Sequence, residues 1–312
     1  MAPLLGRRLV FVTGKGGVGK TTVACALALV AAGQGRLTLL CEMDSSGTVA
    51  RYLGCAPLEY RPHEVLPHLS AMSMDPGAEI REYLNVYSRV PIMGRIGPVA
   101  KAFDFVAAAA PGVREILVVG KLADEAVQHY DLVVVDSAAS GHIVGLLGSP
   151  QAVNEMVRTG PIRSQTARIA GFLADPERTG LAAVTTAEEM PVSETLELAD
   201  RLSEETAVKL TAVIANRLSP EPFGPEQQQY LRRVSEPETA AALGRLAGGP
   251  VQPVLEAARL AVGLQQTEAD HIARLRARLD PAVPIVRLPF VFSSARALPM
   301  IRRLSGILAE EI

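Results

Sequence analysis

The chain is predicted to be α/β, a doubly wound and mostly parallel sheet with a helical insert. Three observations carry this expectation. A glycine-rich loop at 14–22 stands between a short β-branched and aromatic run, residues 9–12, and an uninterrupted helix-forming run, residues 22–32. Further apolar runs at 36–42, 132–135, 181–185, 210–215 and 285–288 alternate with helical patterns, as βαβ units do. Of the 312 residues 48% are hydrophobic but only 4% aromatic, with no Trp, so the apolar mass is Ala, Leu and Val, suited to strands buried under helices.

The loop after the first strand reads Gly14-Lys15-Gly16-Gly17-Val18-Gly19-Lys20-Thr21-Thr22, of the form G-x-x-x-x-G-K-S/T. Its glycines let the backbone turn tightly and aim successive N–H groups inward at a helix N-terminus, which makes an anion site. Lys20 adds a point charge for the β- and γ-phosphates, and the Thr21 hydroxyl is placed to ligate magnesium. ATP and Mg²⁺ are therefore the expected cofactors.

The second strand runs into Asp44, followed by Ser45, Ser46 and Gly47, a turn able to close on a nucleotide. The third, Leu132 followed by three valines, ends at Asp136, the usual position of a magnesium-side carboxylate. Each aspartate has a plainer role as well: Asp44 as the N-cap of a helix beginning near Thr48, and Asp136 as the cap of a strand-to-helix turn.

Between these strands lies more chain than a crossover needs. A helix over 79–90 places Ile80, Tyr83, Leu84, Tyr87 and Val90 on one face, and a looser apolar stretch covers 92–110. Residues 51–111 are thus expected to form a helical insert that receives a client or partner, and residues 1–50 and 112–312 the nucleotide-binding domain. Within that domain 218–280 reads as an irregular region, with prolines at its entrance, Gly248-Gly249-Pro250 in its middle, and a helix from about 265 to 279.

The charge balance excludes other classes. Thirty-one basic and thirty-three acidic residues leave a net charge of -2, so no global field favours nucleic acid, and none is expected as partner. No apolar run approaches a membrane span, so membrane contact is at most peripheral. Cys25, Cys41 and Cys55 lack any C-x-x-C spacing and read as thiols of a reducing cytosol, and no zinc is expected. A cytoplasmic location follows from these readings.

The loop is similar to the deviant Walker A loop of the MinD, ParA, nitrogenase iron protein and ArsA group. Asp136-Ser137-Ala138-Ala139-Ser140-Gly141-His142 resembles the second switch of the ArsA-like branch, which usually reads D-T-A-P-T-G-H and includes the ATPase that guides tail-anchored membrane proteins. Ala110-Pro111-Gly112-Val113-Arg114-Glu115 resembles the P-G-x-x-E element of that branch. Asp175-Pro176-Glu177-Arg178-Thr179 and Pro191-Val192-Ser193-Glu194-Thr195 resemble its next two landmarks.

The resemblance implies an ATPase that opens and closes as a dimer, a homodimer or a heterodimer with a paralogous ATPase, to handle a protein client, a hydrophobic or membrane-protein segment being the family-guided guess. It implies that Asp44 activates the attacking water, that Lys15 reaches the partner's phosphates, and that Asn216, Pro289 and Phe290 surround the adenine. Where the first switch of the branch usually reads D-P-A-H, however, this chain has Asp44-Ser45-Ser46-Gly47. No C-x-x-C follows Asn216, arsenite-binding cysteines have no candidates, and residues 160–175 carry no Met-rich client element. Two rival readings are a MinD- or ParA-type positioning ATPase and a non-catalytic nucleotide-binding subunit. The amphipathic segment 300–308 would serve the first as a membrane helix, although closing the fold is its plainer role.

Overall fold

A computed structural model describes residues 4–75, 113–137, 139–156, 159, 161–221, 223–292 and 297–312. Eight strands form one sheet: β1 (Leu9–Gly14), β2 (Thr38–Glu42), β3 (His63–Leu66), β4 (Leu69–Ser73), β5 (Leu132–Asp136), β6 (Thr179–Thr185), β7 (Leu210–Leu218) and β8 (Ile285–Pro289). Their order is β3-β4-β2-β5-β1-β6-β7-β8, and every neighbouring pair is parallel except the β3-β4 hairpin. The sheet is therefore mostly parallel, as predicted.

Successive side chains of a strand face opposite ways, so a strand buried on both sides must be apolar throughout. Leu9 and Phe11 enter one core and Val10 and Val12 the other, all fully buried. Helices α1 (Lys20–Gly33), α2 (Thr48–Leu53) and α10 (Leu298–Glu311) cover the Val10 face. The Phe11 face is covered by α3 (Val113–Gln128), α4 (Ser140–Met156), α5 (Pro161–Ala174), α6 (Glu189–Glu205) and the last turns of α9 (Gln252–Arg278). Between β7 and α9 lie α7 (Pro225–Val234) and α8 (Pro237–Ala247). Cys25 and Cys41 are buried, one in each core.

Three features differ from the sequence expectation or refine it. Residues 51–75, assigned to the insert, instead finish α2 and add β3 and β4 to the sheet, β4 pairing parallel with β2. The helix expected from about 265 begins at Gln252, with Pro253 in its first turn, where proline costs no hydrogen bond. Residues 300–308 lie in α10, whose Ile301, Leu304 and Leu308 are buried against the rest of the fold, so the plainer reading of that segment holds. The helix expected over 79–90, the stretch 92–110 and Ala110-Pro111-Gly112 lie outside the described residues, as does Ala138.

Candidate nucleotide site

The chain leaves β1 for β2 on one side, and after β5 it returns to β6 on the other side of β1. Such a reversal opens a crevice at the carboxyl ends of the strands, where open α/β sheets bind their ligands. The glycine loop sits at that point. Gly14 has φ +150°, and a Cβ there would overlap the Val184 carbonyl of β6, so only glycine lets the loop leave the sheet. Gly17 and Gly19 take φ +87° and +97°, left-handed values that other residues rarely adopt. Lys20 opens α1 and its Nζ donates to the Lys15 carbonyl at 3.3 Å, which curls the side chain over the loop.

Asp136 stands opposite Val12 on one side and Glu42 on the other in the sheet register. Its carboxyl is buried, is hydrogen-bonded with Thr21, and leaves Oδ1 with no partner. Desolvation pushes it up to about 6; the Thr21 hydrogen bond and Lys20 oppose that rise, and Glu42 and Asp44 add to it. A buried carboxylate oxygen without a donor, beside a threonine hydroxyl and a phosphate loop, fits a hard cation that takes oxygen ligands.

Burial of this charge has a measurable consequence. Because the folded value exceeds the unfolded 3.8, the folded protein retains a proton that the unfolded chain has released, so stability falls as pH rises from about 4 to about 6. At about 1.4 kcal/mol per pH unit the difference amounts to about 3 kcal/mol. Without nucleotide, Asp136→Asn is thus expected to be more stable than the parent at pH 7 by up to about 3 kcal/mol. In thermal melts the gap should close near pH 4; a gap independent of pH would place the effect elsewhere.

Asp44 lies two residues beyond β2, exposed, at the rim of a groove of about 760 Å³ between α3 and α4 that Glu115, His142 and Val118 also line. The turn that follows it is held by a residue the sequence reading passed over. Glu42 is buried, and its carboxylate accepts from the backbone N–H groups of Gly47, Thr48 and Val49 and from the Ser46 hydroxyl. It caps α2 from the preceding strand, the role considered for Asp44. A second tether joins this turn to β4: Ser45 Oγ donates to the Met74 carbonyl at 2.6 Å, and Ser73 Oγ to Ser45 Oγ at 3.1 Å. Ser45 has φ +49°, so the proline usual at this position in the resembling branch could not adopt its conformation.

Lys15 does not point into open solvent. Its Nζ meets Glu194 Oε1 of α6 at 2.6 Å, both side chains about a third exposed. Asn216, expected at the adenine, is buried at the end of β7, and its Nδ2 donates to the Val18 carbonyl at 2.8 Å, bracing the loop from below. Pro289 ends β8, and Phe290, half exposed, donates its N–H to Leu218 and packs edge-on against Phe292 at 4.7 Å between ring centres. The structure thus brings Gly14 to Thr22, Asp136 and Asn216 together, with Asp44 and Phe290 on adjoining loops. An acidic residue closing an apolar strand was the signal for Glu42; Glu194 lay within a recognised landmark, but its contact with Lys15 is tertiary.

The model of a family described as anion-transporting ATPase matches residues 7–170 and 161–237. The chain is 32% identical to ATPase BagA of Mycobacterium tuberculosis over 330 aligned positions, covering 99% of this chain and 94% of that protein. It is 29% identical to the arsenical pump-driving ATPase of Acidiphilium multivorum, over 68% of this chain but 39% of that protein. With ATPase get3 of Schizosaccharomyces japonicus the identity is 30% over 54% of each.

Proposed function

Because this chain belongs to the ArsA family of anion-transporting ATPases, we propose that it is a magnesium-dependent ATPase that opens and closes as a dimer around a protein client or partner. The observation that carries this reading is the joining of Thr21 to Asp136 beneath the glycine loop, with Asp136 Oδ1 left unmet. Thr21 and Asp136 would hold the magnesium, which neutralises charge on the transferring phosphoryl group.

The loop amides from Gly14 to Thr22 and Lys20 hold the phosphates, Asp44 orients the attacking water, and Lys15 serves the phosphates of a partner subunit. Asn216, Pro289 and Phe290 form the base side. In this reading Lys15, held at the loop's rim by Glu194 of its own chain, exchanges that carboxylate for the partner's phosphates. The partner is a second copy or a paralogous ATPase, the client a hydrophobic protein segment, and the compartment the cytoplasm. The positioning reading loses its membrane helix, since the apolar face of α10 is already buried; among the described residues no helix is long and apolar enough to cross a membrane.

The test is phosphate release by the purified protein with magnesium and ATP, run beside small-angle scattering. Turnover together with nucleotide-dependent compaction to a dimer is expected. Nucleotide binding without turnover, alone or with a paralogous partner, would favour the non-catalytic subunit.

A further inference from the structure

We propose that Arg217 is a nucleotide-binding residue, gripping a phosphate of the bound nucleotide from the base side of the loop. Four observations place it there. A Cβ built on Gly19 would overlap Asn216 Nδ2 and stand 3.9 Å from Arg217 Nη2, so the guanidinium lies against the last glycine of the phosphate loop. Arg217 is exposed and makes no ion pair among the described residues. Of the other cations of the site, Lys15 is held by Glu194 and Lys20 lies over the loop against the Lys15 carbonyl, which leaves the base side of the loop to Arg217.

The backbone supplies the fourth. Arg217 has φ +60°, an uncommon value for a residue with a long side chain, at an irregularity of β7 where its pairing with β8 shifts between Ala215 and Leu218. The shift re-aims one side chain out of the strand's alternation. Neighbouring contacts hold it: Phe290 N–H donates to the Leu218 carbonyl at 2.7 Å, and Glu268 accepts from Ser219 N–H at 2.8 Å and from its hydroxyl at 2.7 Å. Strain maintained by such over-determination is concentrated at ligand sites. A planar guanidinium with parallel N–H donors matches phosphate oxygens two at a time.

The proposal deepens the nucleotide reading and rests on it, and the experiment separates the two. Binding of ATP and ADP is measured by titration for the parent, Arg217→Ala, Arg217→Lys and Arg217→Gly, with thermal melts as a folding control. The expected result is a parent that binds, Arg217→Ala weaker by about 10- to 100-fold for both nucleotides, and Arg217→Lys in between. In turnover the change should fall on KM with kcat kept. Arg217→Gly, which accepts the left-handed backbone freely, should lose as much affinity as Arg217→Ala. Affinity within twofold of the parent in Arg217→Gly or Arg217→Ala would overturn the assignment while leaving the nucleotide reading intact. A parent that binds neither nucleotide would overturn both.

Discussion

Lys20→Ala is expected to lose ATP binding, whereas Asp44→Asn is expected to bind ATP and fail to turn it over. The difference comes from what each group touches. Lys20 is the first residue of α1 and curls back over the loop, so its charge meets phosphate oxygens already present in the ground state. Charge-assisted hydrogen bonds contribute about 1.5–3 kcal/mol each, and losing one or two weakens binding on the order of 100-fold or more. Asp44 is exposed on the turn beyond β2, outside the loop and at the mouth of the groove, where it can act on an attacking water without gripping the nucleotide. Removing a general base typically lowers the rate by about 10²- to 10⁴-fold. Calorimetry with a non-hydrolysable nucleotide and phosphate release separate the roles; equal loss of binding in both variants would refute the division.

Lys15→Ala should retain magnesium–ATP affinity yet lose turnover by a factor on the order of 10³ to 10⁵, the effect of a cation supplied across an interface to the transferring phosphoryl group. Its contact with Glu194 adds a second expectation. A lysine held at 2.6 Å by a carboxylate of its own chain must leave it before reaching another subunit, so the ion pair competes with assembly. Glu194→Gln removes the competitor's charge. Since partly exposed pairs are worth up to about 1 kcal/mol, dimer affinity should rise by only a few-fold. Sedimentation with nucleotide reads this directly: a dimer weakened by Glu194→Gln would mean that the carboxylate helps present Lys15 instead of restraining it. A monomer with full activity would remove the trans role altogether.

The parts of the fold legible in the sequence were those where burial on two faces forces an unbroken apolar run, as at 132–135, or where one residue type is compulsory, as at Gly14 and Gly19. The β3-β4 hairpin escaped because β3 is a half-exposed edge strand of four residues, His63–Leu66, with no apolar alternation to read. The early turns of α9 escaped for a related reason: Leu255 is their sole buried residue, while Val254, Leu260 and Leu264 are exposed, so no stripe marks a covered face. In the site, the loop and the two strand-end aspartates were legible from local pattern. The holding of the 44–47 turn by Glu42, the Ser45 tether to Met74, the engagement of Lys15 by Glu194 and the aim of Arg217 were not, since each joins positions that meet only once the chain has folded.

Helix α9 has 27 residues, about 40 Å of stiff rod at 1.5 Å per residue. Glu268 grips Ser219, just past Asn216 and Arg217 of β7, and six residues further on Arg274 donates to Ser193, the neighbour of Glu194. One side of the nucleotide crevice and the counter-charge of Lys15 therefore share a beam. The two contacts stand only about 9 Å apart along that beam, so a change at one is expected to be felt at the other.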